Sequence, residues 1–152
     1  MPSILENYQP VFVRKEEDKL KGYIAYTDSS LHLGRNEGAY AFILLLDGQI
    51  IDKGVTVFHR ETNNRGEMRA VIEALGSCPY GAKVEVRSDS QYAVKVFKGE
   101  WSHRSNEDLF LEWKRLVKEK KLWVRMKWVR GHSGDIYNEM CDQMCAEALD
   151  QL

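Results

Sequence analysis

Four carboxylates stand where the local sequence ends a strand or opens a helix. They are Asp28 in Tyr26-Thr27-Asp28-Ser29-Ser30, Glu67 in Asn63-Asn64-Arg65-Gly66-Glu67, Asp89 in Ser88-Asp89-Ser90-Gln91, and Asp142 in Asn138-Glu139-Met140-Cys141-Asp142. Acids gathered at element ends can share divalent cations. Two such ions about 3.5 to 4 Å apart split phosphodiesters, one activating water and the other stabilising the leaving oxygen. The pattern points to a metal-dependent nuclease. Taken singly, each acid also has a structural explanation: Asp28 as an Asx turn, Glu67 in a capping box with Asn64, Asp89 as a helix N-cap, and Asp142 as a solvated helix acid.

The elements that must position these acids follow from periodicity. Tyr23 to Thr27 is a short β-prone run, which would end just before Asp28 and present it at the C-terminal edge of a sheet, where open α/β sheets place ligands. Ala39 to Leu46 and Gln49 to Phe58 are two further strands, joined at Asp47-Gly48, a strong hairpin signal. Met68, Val71, Ile72 and Leu75 recur at i, i+3, i+4, i+7 and mark an amphipathic helix that Gly76 helps to end. Lys83 to Ser88 alternates as a fourth strand, and Ser90 to Lys98 reads as a short helix. Asn106 caps a longer helix, with Glu107 and Asp108 in its first turn and Lys118, Lys120 and Lys121 at its end, an order that suits the helix dipole. Trp123 to Trp128 is a fifth strand. Cys141, Met144, Cys145, Ala148 and Leu149 set the buried face of a last helix. The order is βββαβααβα, an α/β fold with a five-stranded mixed sheet flanked by helices.

At 152 residues, 43% hydrophobic and 30% charged, the chain suits one domain that buries roughly 70% of its unfolded surface. Residues 1–21 show no clear period and are expected to be an N-terminal extension to a catalytic domain over 22–152. Cys78, Cys141 and Cys145 form no disulfide framework, and no apolar run approaches the roughly 20 residues of a membrane helix. With no signal-peptide pattern at the start, a cytoplasmic monomer without membrane attachment is expected. The net charge of -1 is unlike a nucleic-acid binder, but Lys95 to Arg130 holds eleven Lys or Arg against five Asp or Glu. Cations to grip phosphates beside carboxylates to hold ions would suit a nuclease; a solvated lysine-rich helix is the plainer explanation.

In order, the four acid motifs, Glu61-Thr62-Asn63-Asn64 and Trp128-Val129-Arg130-Gly131-His132-Ser133-Gly134 resemble type 1 ribonuclease H from about Tyr23 to Leu149. The resemblance implies a ribonuclease H-like fold and an endonuclease that hydrolyses the RNA strand of RNA/DNA hybrids with Mg2+ or Mn2+, leaving 5'-phosphate and 3'-hydroxyl ends. It implies that Asp28 bridges two ions, that Asp142 helps hold the ion on the water side, and that Glu67 and Asp89 hold the other. His132, between glycines, would assist proton transfer or product release. A zinc site from His132, Cys141 and Cys145 matches common zinc spacings poorly. The family's substrate contacts fall on Asn64 and Gln91 in the minor groove and on Thr62 and Asn63 at a DNA-strand phosphate; apart from the resemblance, Trp101 could stack on a deoxyribose or pack as a core or hinge residue.

The chain departs from the family at three places. Ser29 stands where many bacterial members have glycine, which would be strained if φ there were positive. Asn36 falls two residues late for the family's loop asparagine. The stretch from Gln91 to Asn106 is too short for the basic protrusion of many bacterial members, so weaker, steeply salt-dependent hybrid binding is expected, with Trp101, His103 and Arg104 compensating in part. A non-catalytic hybrid-binding module and a DNA-directed resolvase or integrase core are the alternatives; the full acid set counts against the first, and Asn64, Gln91 and His132 against the second.

Overall fold

A computed structural model describes residues 22–32, 34–131 and 134–152. The expected N-terminal extension, 1–21, and His132 lie outside the described residues. Five strands, β1 (Tyr23–His32), β2 (Glu37–Leu46), β3 (Gln49–His59), β4 (Lys83–Ser88) and β5 (Trp123–Trp128), form one sheet in the order β3-β2-β1-β4-β5. β1, β2 and β3 pair antiparallel, while β4 runs parallel to both β1 and β5. Among the described residues four α-helices complete the fold: α1 (Asn63–Gly76), α2 (Gln91–Phe97), α3 (Glu107–Glu119) and α4 (Ile136–Asp150). The β2–β3 turn has φ of 53° at Asp47 and 78° at Gly48, the two positive values that a two-residue hairpin of matching twist requires.

Strand β1 does not stop at Thr27. Its parallel pairing with β4 ends at Thr27↔Ser88, but its antiparallel pairing with β2 continues from Asp28↔Ala41 to His32↔Glu37. Asp28 therefore lies inside a strand, at the step where one neighbour ends and the other goes on. Asp28, Ser29 and Ser30 are poor strand formers, which is why the sequence suggests an earlier end; tertiary pairing overrides that preference. Ser29 is extended and free of the strain a positive φ would bring.

The helix caps also differ from expectation. Thr62, not Asn64, caps α1, its Oγ1 accepting from the Arg65 N–H at 3.2 Å, so Glu67 lies beyond the reach of a capping box. Ser90 caps α2 by accepting from the Ala93 N–H at 3.0 Å, which releases Asp89 from that duty. Asn106 occupies the cap position of α3, but its side chain makes no cap bond. It instead accepts from Arg65 Nη1 at 3.2 Å and donates to the Tyr92 hydroxyl at 2.7 Å, joining α1 to α2.

Alternation along the strands divides the core between the two sheet faces. Ala25, Phe42, Leu44, Val84, Val86 and Met126 pack against α1, α2 and α3 through Met68, Val71, Leu75, Val94, Val96, Leu109 and Val117. On the opposite face Tyr26, Ala41, Ile43 and Leu45 pack against Cys141, Cys145 and Leu149 of α4. Each fully buried Leu, Ile or Val contributes about 1.5–3 kcal/mol to holding a helix on the sheet. All three cysteines are free and buried. Among the described residues no helix is long and apolar enough to cross a membrane.

Candidate active site

Asp28, Glu67 and Asp89 each offer a carboxylate oxygen, and these oxygens all lie within 4.8 Å of one another. Asp28 comes from the middle of β1, Glu67 from the first turns of α1, and Asp89 from the residue after β4. Asp28 and Glu67 are only 6% and 5% exposed, and Asp89 is half-buried. Burial, then the charge of Asp89, pushes the Asp28 carboxyl up to about 7, against the Ser29 N–H that donates to its Oδ1 at 2.9 Å. Burial, then the charges of Asp28 and Asp89, holds Glu67 well above the usual carboxylate range. Carboxylates this close cannot all ionise without repelling one another, and a cation between them would relieve that repulsion. The donor set fits a hard divalent ion: all oxygen, all acidic, and with Glu67 Oε1 buried and lacking any hydrogen-bond partner.

Two glycines allow this convergence. A Cβ on Gly66 would collide with Ser29 Oγ and the Phe58 ring, so only glycine lets the start of α1 lie against β1. Ser29 Oγ donates to Asn63 Oδ1 at 2.9 Å across the same junction. Glu67, the next residue, is thereby carried to Asp28. A Cβ on Gly131 would sit 2.6 Å from Asp89 Oδ2, so the chain leaving β5 passes directly beside that carboxylate. Trp128 Nε1 donates to the Asp89 carbonyl at 3.1 Å and the Val129 N–H to the Ser88 carbonyl at 2.9 Å, fixing that exit.

Asp142 is half-buried on α4 and stands outside the tight trio, yet its charge adds to the upward push on Asp28. Cys141, its neighbour, donates from Sγ to the Tyr26 carbonyl at 3.5 Å and so seats the helix on β1. Burial pushes the thiols of Cys141 and Cys145 far up, which suits packing rather than zinc binding. Thr62 and Asn64 are exposed and Asn63 half-buried around the start of α1, while Gln91 is exposed at the first position of α2. Trp101 is 46% exposed and is no core residue; its ring centroid lies 6.5 Å from that of Tyr92 and 5.7 Å from Lys95 Nζ. Gly66 and Gly131 are positioning residues that the sequence did not single out, and Ser29, marked there only as a departure from glycine, joins them through its bond to Asn63. The available signal was a glycine inside a helical pattern, immediately before a candidate ligand.

The RNase H family model matches residues 20–150 of the chain. The chain belongs to the RNase H family. Among curated relatives, ribonuclease H of Thermoanaerobacter sp. (strain X514) is 31% identical over 140 residues, covering 82% of this chain and 87% of the relative. Ribonuclease H of Trichodesmium erythraeum is 33% identical over 144 residues, covering 84% and 88%. The crystal structure of RNase H1 from the halophilic archaeon Halobacterium salinarum superimposes with a TM-score of 0.72 at 26% identity, over 86% of this chain and 98% of that one. An N-terminal RNase H domain from Mycobacterium tuberculosis, at TM-score 0.71 and 18% identity, shares the fold. As a ribonuclease H-type nuclease, the chain is a hydrolase whose five-stranded mixed sheet and four helices are those of its family.

Proposed function

We propose that this chain cuts the RNA strand of RNA/DNA hybrids endonucleolytically by two-metal-ion catalysis, using Mg2+ or Mn2+ and leaving 5'-phosphate and 3'-hydroxyl ends. The observation that carries this reading is the trio Asp28, Glu67 and Asp89, two of them buried, with oxygens within 4.8 Å, in a chain of the RNase H family. Asp28, Glu67, Asp89 and Asp142 would hold the ions, which supply activation of water and charge stabilisation of the leaving oxygen. The residues of the chain do the rest. Asp28, inside β1 and tied to the Ser29 N–H, has little freedom to move, so its oxygens stay aimed at the centre. His132 would move protons or release product. Asn64 and Gln91, exposed at the starts of α1 and α2, would read ribose in the minor groove, with Thr62 and Asn63 at a DNA-strand phosphate and Trp101 against a deoxyribose.

Incubation with labelled RNA/DNA hybrid, duplex RNA, duplex DNA and single strands, with Mg2+ or Mn2+ and with EDTA, tests the reading. Cleavage confined to the RNA of the hybrid, abolished by EDTA, is expected. Equal cutting of duplex DNA, or metal-independent cutting, would overturn it. Titrating uncleavable hybrid with salt should show steep weakening, since phosphate contacts dominate such affinity.

A further inference from the structure

Beside Asp28, on its face of the sheet, lies a second polar cluster that the proposed chemistry does not use. Side chains alternate along a strand, so Tyr26, two residues before Asp28, shares its face, and Arg87, the partner of Tyr26 in the β1–β4 ladder, lies beside it on the face that α4 partly covers. Tyr26 is 3% exposed, yet its hydroxyl has two partners. It donates to Asp135 Oδ2 at 3.0 Å and accepts from Arg87 Nη1 at 2.8 Å. Arg87 is itself held by Glu85 at 2.6 Å. Asp135 is the N-cap of α4, and its other oxygen accepts from the N–H groups of Tyr137 at 3.0 Å and Asn138 at 3.3 Å. One carboxylate thus joins the start of the helix to the centre of the sheet.

The packing around Tyr26 does not call for a hydroxyl. Its neighbours on that face, Ala41, Ile43, Leu45, Cys141 and Cys145, are apolar, and phenylalanine would fill the same space. A buried hydroxyl must be satisfied to be tolerated, and here it is satisfied by the residue that opens the helix bearing Asp142. Asp142 lies seven residues beyond Asp135, two turns or about 10 Å along a stiff helix, so a shift at the cap is passed to the carboxylate.

We infer that Tyr26 is a positioning residue for the metal centre: its hydroxyl, acting through Asp135, fixes the start of α4 and hence the placement of Asp142 relative to Asp28. This inference rests on the proposed function for its meaning but not for its test. In the metal-free 152-residue chain, Tyr26→Phe should speed hydrogen exchange at the Tyr137, Asn138 and Glu139 amides about tenfold, leaving those near Leu149 unchanged. With Mg2+ the metal concentration for half-maximal hybrid cleavage should rise about tenfold, the usual effect of removing a group that orients a metal ligand. KM for hybrid at saturating metal should not move.

Asp135→Ser keeps a capping acceptor while removing the oxygen that Tyr26 reaches, and should give the same shift with no further change in the double variant. An unchanged metal midpoint in both variants, with or without lowered thermal stability, would make Tyr26 a packing residue and overturn the inference. Additive shifts in the double variant would overturn it as well. Failure of the parent chain to cut hybrid would count against the proposed function, while the exchange data would still decide whether Tyr26 orders α4.

Discussion

Two sets of carboxylates flank the first turn of α1, and their electrostatic states are opposite. On the rim, Glu61 accepts from Arg69 Nε at 2.8 Å and Nη2 at 3.0 Å, while Asp108 accepts from both Nη atoms of Arg65 at 2.9 and 2.8 Å. Those guanidinium bonds hold Asp108 down at about 2 and Glu61 below its ordinary value. Six residues after Glu61, Glu67 turns inward to Asp28 and Asp89, and burial with mutual repulsion pushes it the other way. The rim acids receive counter-charge from the chain. The inner acids hold their repulsion ready for a cation from solution, which is the electrostatic basis of the proposed metal dependence.

The largest effect expected from breaking this contrast is at Asp28. Asp28→Asn removes a ligand charge at nearly constant volume and should lower hybrid cleavage at least about a thousandfold, equivalent to roughly 4 kcal/mol of lost charge stabilisation. The same variant should melt higher than the parent chain in EDTA at pH 8, because one repelling anion has gone. Cleavage at the parent rate would show that Asp28 holds no essential ion.

Next in size is the pH dependence of stability without metal. A carboxyl raised from 3.8 to about 7 binds its proton more tightly in the folded chain, so its stabilising contribution is complete below the unfolded value and is lost as pH rises through 7. The rim acids behave oppositely: their contribution is present above the ordinary carboxylate range and lost as pH falls toward 2. Between pH 5 and 8 only the inner cluster changes among these acids. Denaturant titrations in EDTA should show stability about 2–3 kcal/mol lower at pH 8 than at pH 5, with Mg2+ closing the gap and Asp28→Asn flattening it. Equal stability at both pH values would place the cluster in ordinary solvent.

Smaller effects belong to the rim. Arg65→Met removes a bidentate pair to an exposed Asp108 and one partner of the buried Asn106; a loss of about 1 kcal/mol is expected, with the metal midpoint unmoved. Smallest is Lys120→Met. Its ammonium donates to the Gly76 carbonyl at 2.7 Å at the negative end of α1, and about 0.5 kcal/mol should be lost in thermal denaturation. A shift in the metal midpoint by either variant would show that rim and centre are coupled.

Legibility followed the range of the interaction involved. The β2–β3 hairpin was readable because Asp47-Gly48 satisfies a local need for positive φ, and α1 because Met68, Val71 and Leu75 share one face. Strand β4 matched its expected limits because alternation is a local property of the chain, and the fifth strand, Trp123 to Trp128, matched its limits too. The end of β1 was not readable, since Asp28 to His32 are held extended by β2 rather than by their own preferences. Nor was the cap of α1, where Thr62 and Asn64 are equally good candidates until the helix is seen to begin at Asn63.

By itself the sequence determined the element types, the four acids worth watching and the absence of a protrusion between Gln91 and Asn106. Only the tertiary structure decided that Asp28, Glu67 and Asp89 meet within 4.8 Å while Asp142 stands further off, that Gly66 is the gap through which α1 reaches β1, and that Tyr26 is bonded to the cap of α4. Residue type and period are written in consecutive positions. The approach of Glu67 to Asp28, 39 positions apart, or of Asp135 to Tyr26, 109 positions apart, is set by how a sheet and its helices pack, and it exists only once they have done so.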